Sequence, residues 1–273
     1  LSKKVTTAND FFVGQRNIPW WAIGISVVAT YVSALSFLGG PAWSYTEGLS
    51  VIAIHLNYPI VIFIVIAFFL PFFFNSGCAS IYEYLEKRFG PTTRSVISII
   101  FLISQCLTSA AILYATALVL EFITGMPVVY AIIIITLIAL VYTIMGGLAA
   151  VIWTDVIQAF ILLAGALIIT VSLINNLNLP LGETLELLKS QGKTNPLNFS
   201  FDVTEVSTVW TGVIAMTLFH ITVYGANQMM VQRTLASKNI GDAKKSFLMM
   251  GYFAIFIYFL FFLLGILFYS YYG

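Results

Sequence analysis

The sequence predicts an all-α membrane protein whose first helix is discontinuous, and three observations carry that prediction. Of 273 residues, 60% are hydrophobic and 8% charged, against about 25% charged in soluble domains. Successive apolar stretches reach the roughly 20 residues that one helical crossing of a bilayer requires, and the short alternating strands of a closed barrel are missing from the pattern. The first stretch, from Trp20 to about Tyr45, contains SALSFLGGPAW at 33 to 43. Its Gly39, Gly40 and Pro41 are poor helix formers within an otherwise apolar span.

Seven spans follow in order: about 20 to 45, 50 to 74, 96 to 122, 126 to 145, 148 to 174, 207 to 230 and 247 to 270. The first nineteen residues are polar, carry Lys3, Lys4, Asp10 and Arg16, and lack the pattern of a cleavable signal. They read as a cytoplasmic loop with something missing before it. After the second span, IYEYLEKRF reads as an interfacial amphipathic helix, and Gly90-Pro91 turns the chain into the third. Gly146-Gly147 separates the fourth span from the fifth. Residues 175 to 206 form a polar loop punctuated by Pro180, Gly182, Gly192 and Pro196.

Charge distribution orients these spans. With the N-terminus inside, inner loops hold Lys3, Lys4, Arg16, Lys87, Arg88, Arg94, Arg233, Lys238, Lys244 and Lys245, whereas Lys189 and Lys193 lie outside. Ten of the twelve cations therefore share one side, as the positive-inside rule expects. The net charge of +1 points to no nucleic-acid partner. The partners expected are the lipid bilayer and a small solute, and the location a cell membrane crossed several times (the inner membrane in a bacterium). Cys78 and Cys106 read as two apolar fillers or as one pair.

Polar groups in hydrocarbon persist only when they face protein or a wet cavity. The first span carries Ser26, Thr30, Ser33, Ser36 and Ser44, with Ser33 and Ser36 three apart and so on one helical face. A discontinuous helix also frees carbonyls near mid-membrane. His55 and Asn57 lie in the second span, Gln105, Thr108 and Ser109 in the third, and His220, Thr222, Tyr224, Asn227 and Gln228 in the sixth. Together these positions predict one shared cavity. Asp155 is the single acid well within a span, about two turns or roughly 12 Å from Gly146-Gly147. It reads either as an ion-path carboxylate or as a structural acid paired with an arginine near the inner surface. No phosphate loop, HExxH or CxxC is present, and no nucleophile stands beside a base, so no enzyme is predicted.

Three strings, YEYLEKRFG at 82 to 90, YTIMGGLAAVIWTDVIQ at 142 to 158 and NQMMVQRTLASK at 227 to 238, resemble the sodium:solute symporter family in content, order and placement. The resemblance implies an inverted five-helix-repeat transporter fold, incomplete in this chain. Residues 1 to 174 would form the first repeat, 175 to 206 an external loop, and 207 to 273 the start of the second. Three core helices would follow Gly273 and at least one would precede Leu1. It further implies sodium as coupling ion, held by the carbonyls of Ala29 and Val32 together with an eighth core helix.

For the solute, the resemblance implies Ser33, Ser36, His55, Thr108, His220 and Tyr224. Sugar-transporting members carry an acid-glutamine pair at the positions of Leu35-Ser36, a glutamate at His55, and an asparagine and a tyrosine at His220 and Val223. Those departures favour an organic anion such as a carboxylate over a hexose. Sialic acid transporters hold a carboxylate with hydroxyl side chains that Ser33 and Ser36 would imitate, although Thr108 stands where they have arginine. The function expected is sodium-coupled symport by alternating access, with Asp155 on the ion path or at a second cation. The alternatives are a sodium/sugar symporter and a non-transporting membrane sensor. With Val32 and Ser33 at the midplane by depth, Gly39-Gly40-Pro41 reads as the outer hinge of the break, the second half-helix starting near Pro41.

Overall fold

The computed structural model describes residues 18–78, 80–202 and 204–272; Lys3, Lys4, Asp10 and Arg16 lie outside them. The described residues form helices and no strand. The first span is two helices, α1 (Trp20–Tyr31) and α2 (Ala34–Glu47). A 3-10 run, Gly48–His55, leads into the second span, built of α3 (Tyr58–Ile64), a π turn over Val65–Phe69 and α4 (Leu70–Ser76). Helix α5 (Ile81–Phe89) is capped by Ser80, whose hydroxyl accepts from Glu83 N, and its Glu86 pairs with Arg94. The third span is α6 (Pro91–Thr124), opened by proline at its first position.

A helical run α7 (Val128–Asn175) covers the fourth and fifth spans. As one straight helix its 48 residues would reach about 72 Å, more than twice the roughly 30 Å hydrocarbon core. Gly147 interrupts it at φ 56°, ψ −153°. A Cβ on Gly146 would stand 2.4 Å from that of Ala150, so the chain turns tightly where the sequence predicts. The loop after α7 contains α8 (Leu181–Ser190). The sixth span runs through a π turn (Thr211–Ala215), α9 (Met216–Ile221) and a second π turn (Thr222–Ala226). Helices α10 (Gln228–Leu235) and α11 (Ile240–Tyr272), the seventh span, complete the described chain.

The core lies along α11. Its buried Phe247, Met250, Ala254, Ile257, Phe261 and Leu264 recur at helical spacing and pack against both halves of the first span. Glycines bring the backbones together. A Cβ on Gly24 would meet Ser246 O at 2.7 Å, one on Gly40 Phe261 Cβ at 3.3 Å, and one on Gly265 Ser44 Oγ at 1.9 Å. Ser44 in turn donates to Phe262 O at 2.9 Å. The loop after α8 closes on the same place: Leu49 N donates to Lys193 O at 2.8 Å, and Lys193 Nζ bonds the carbonyls of Tyr45 (3.0 Å) and Thr46 at the end of α2.

Two expectations are corrected here, and the cysteines take one of the two readings left open. The break lies at Val32 and Ser33, both extended, and Gly39-Gly40-Pro41 sits inside α2, with Gly40 facing Phe261 of α11, rather than at a hinge. Arg233 is no loop cation but is buried. The two cysteines do not pair: Cys78 is buried and Cys106 exposed, both free thiols. We expect Gly147→Ala, which forces a Cβ into positive φ, to destabilise the protein by about 1–3 kcal/mol. Thermal unfolding of the detergent-purified protein reads this directly, and an unchanged melting temperature would reject the turn.

Candidate functional site

Two polar regions flank the break. The first is a cavity of about 350 Å³ lined by Ala29, Thr30, Val32, Ser33 and Gln158, with Ile112 and Ile257 among its apolar walls. An uninterrupted helix would pair the carbonyls of Ala29 and Val32 with the N–H groups of Ser33 and Ser36. At the break neither bond forms: the last N–H of α1 to bond backward is Val32 N to Val28 O, at 2.9 Å, and the next helix starts with Phe37 N on Ser33 O, at 3.0 Å. Two carbonyl oxygens and a hydroxyl are thus available at one wall, a donor set of hard oxygens that suits an alkali cation.

The second region lies among the second, sixth and seventh spans. His55, at the end of the 3-10 run, is buried and stacks on Tyr258 with ring centroids 3.8 Å apart. His220 stacks on Tyr58 at 5.1 Å. The Asn57 amide has its nitrogen 2.8 Å and its oxygen 3.1 Å from His220 Nδ1. Tyr58 and Tyr224 share a hydroxyl bond of 3.0 Å, and Tyr31 of the first span packs on Tyr224 at 5.5 Å. His55 Nδ1 is buried with no hydrogen-bond partner, a deficit of about 1–3 kcal/mol. An incoming acceptor or donor would relieve it.

Of the residues expected at a solute site, His55, His220 and Tyr224 come together, and Ser36 donates to Tyr31 O at 3.3 Å beside them. Ser33 faces the cavity instead. Thr108 is not brought to either region: it is exposed and donates to Ser104 O at 2.9 Å on its own helix. The single shared cavity predicted across spans one, two, three and six is therefore two regions, one on each side of the first span. Asn227 and Gln228 serve the fold. Asn227 Oδ1 accepts from Met229 N at the start of α10, and Gln228 Oε1 accepts from Ile81 N at 2.9 Å.

Asp155 takes the arginine-paired form. Arg233 Nη2 donates to its Oδ2 at 3.2 Å and Ser26 Oγ donates to the same oxygen at 2.6 Å. Arg233 Nε donates to Ser26 Oγ at 3.0 Å, and Nη1 to Met229 O at 3.2 Å. The Arg233 and Asp155 side chains are only 10% and 15% exposed, so the first and fifth spans are joined to α10 by a largely desolvated ion pair. Arg233 was the residue that sequence reasoning missed as a functional group. Its signal was depth: a lone intramembrane acid near the inner end requires a cation, and Arg233 lies just beyond the inner end of the sixth span.

A sequence model of the sodium:solute symporter family matches residues 11–273. A sodium/glucose cotransporter of Vibrio parahaemolyticus is 30% identical over 274 residues, 95% of this chain and 49% of that protein. Sodium-coupled monocarboxylate transporter 1 of Xenopus laevis is 36% identical over 243 residues, 88% of this chain and 38% of its own length. A solved structure of a Na+-coupled sialic acid symporter, in a substrate-bound outward-open state, superposes with a TM-score of 0.90 at 31% identity, covering 99% of this chain and 56% of that one. The chain thus spans about half or less of the proteins it matches. These relatives are transporters and not enzymes, and the apolar helices of this chain are those of a multi-pass membrane protein. The chain belongs to the sodium:solute symporter family.

Proposed function

We propose that this chain forms part of a sodium-coupled symporter of a small organic anion, a carboxylate by preference, that works by alternating access in a cell membrane. The observation that carries the reading is the break at Val32-Ser33, which leaves the carbonyls of Ala29 and Val32 unpaired at the wall of a cavity. A sodium ion there would fix the relative orientation of α1 and α2. Solute would bind across the break, with His55, His220 and Tyr224 supplying polar contacts and Ser33 and Ser36 supplying hydroxyls from the first span. Coupling then requires that both ligands favour the same arrangement of the two half-helices, since a ligand indifferent to conformation shifts nothing.

The monocarboxylate relative, at 36% identity, supports an anionic solute. The departures at Leu35-Ser36 and His55 from sugar-binding positions weigh against a hexose. With Arg233 on one side, Asp155 would act on sodium indirectly, as a carboxylate exchanging partners near the inner end of the path.

In proteoliposomes of the full-length protein, an inward sodium gradient is expected to accelerate uptake of short carboxylates; sodium-driven hexose uptake without carboxylate uptake would overturn the solute class. His55→Phe keeps the stack on Tyr258 but removes the ring nitrogens. The expected result is a solute KM raised about tenfold with the sodium dependence unchanged, and an unaltered KM would take His55 out of the site.

Asp155→Asn leaves Arg233 buried without its counter-ion, at a cost of about 3–5 kcal/mol. The double change Asp155→Asn with Arg233→Gln should restore most of that stability but not the sodium concentration for half-maximal uptake. A wild-type sodium response in the double variant would confine the pair to a structural role.

A further inference from the structure

Away from both regions, the second and seventh spans leave an apolar groove of about 360 Å³, walled by Ile62, Phe63 and Ile66 on one side and Leu248, Tyr252 and Ile255 on the other. Its floor is fixed where the helices touch: a Cβ on Gly251 would lie 1.8 Å from Ile62 Cδ1. Its rim faces outward, with Phe63 68% and Tyr252 76% exposed. Lys244 and Lys245 precede Leu248 by four and three residues. They therefore share its helical face, about 5 Å nearer the inner surface. Neither lysine forms an ion pair among the described residues. The acid on that turn, Asp242, is engaged with Asn239, whose Nδ2 donates to Asp242 Oδ2 at 3.4 Å.

An apolar slot at bilayer depth with two free cations at its inner end is complementary to one class of molecule, an anionic amphiphile of the inner leaflet. We propose that the groove binds an anionic phospholipid. One acyl chain lies between Ile62 and Ile255, and the headgroup phosphate contacts Lys244 and Lys245. The slot supplies burial for the chain, whereas the lysines discriminate between headgroups, each contributing about a fivefold preference when close to the lipid surface. Because α11 also packs on both halves of the broken span, an occupied groove stiffens the helix against which that span moves.

The test uses the full-length protein equilibrated with equimolar phosphatidylglycerol and phosphatidylcholine, with retained lipid read by native mass spectrometry. Phosphatidylglycerol is expected to be retained preferentially, and Lys244→Gln with Lys245→Gln to lower that preference by about fivefold per lysine, with phosphatidylcholine unaffected. Leu248→Trp, at a position already 45% exposed and so tolerant of bulk, should remove bound phosphatidylglycerol by filling the slot. Equal retention of both lipids, or a preference indifferent to the lysine pair and to Leu248→Trp, would overturn the proposal. So would efficient cross-linking between copies through Tyr252→Cys, which would assign the groove to a second copy.

Discussion

A backbone interrupted inside hydrocarbon has no water to satisfy it, and the arrangement of this protein follows from meeting that constraint at Val32-Ser33. An unpaired carbonyl in lipid costs several kcal/mol, so the interrupted segment must be enclosed by protein on one side and face a polar space on the other. The enclosure comes from α11, which approaches α1 at Gly24 and α2 at Gly40 and Gly265 closely enough that a Cβ at Gly24 or Gly265 would collide. With the half-helices so held, the break need not close up into regular helix, and its oxygens remain available to a ligand.

The two half-helices are anchored differently. Through Ser26, α1 joins the Arg233–Asp155 pair that ties it to the fifth span and to α10. At its far end, α2 is held by the loop after α8 through Lys193 and by Ser44 on Phe262 O. A rearrangement at one end therefore need not disturb the other, and the extended pair at Val32-Ser33 is the joint between them. The cavity and the buried aromatic-histidine cluster lie on opposite sides of that joint, so a ligand bound at either would act on the same two dihedral pairs.

Much of this was legible in the sequence because hydrocarbon punishes exceptions. The spans, the turn at Gly146-Gly147 and the interfacial IYEYLEKRF follow from apolar length and from glycine. Depth counting put the midplane at Val32-Ser33, where the backbone does break. Gly39-Gly40-Pro41 misled because glycine that ends a helix and glycine that admits a neighbouring helix look alike in one dimension; only the position of Phe261 separates them. Arg233 was hidden for a related reason, since a cation near the end of a span reads as a loop charge until its acid partner is seen in space. Thr108, assigned by resemblance, met no partner across the bundle, because a hydroxyl that bonds Ser104 O within its own helix satisfies itself without one.

The ion pair has an electrical consequence. Arg233 already cancels the charge of Asp155, and the oxygens at Ala29 and Val32 are dipoles that carry no net charge. A sodium ion bound beside them would therefore bring an uncompensated elementary charge, on which the membrane potential does work of about 2.3 kcal/mol per 100 mV for a full crossing. A monovalent carboxylate carried with a single sodium ion would cancel that charge, and the loaded protein would be indifferent to voltage. Each additional sodium would restore the dependence, so the current per solute molecule is an independent measure of how many ions the broken helix and its surroundings hold.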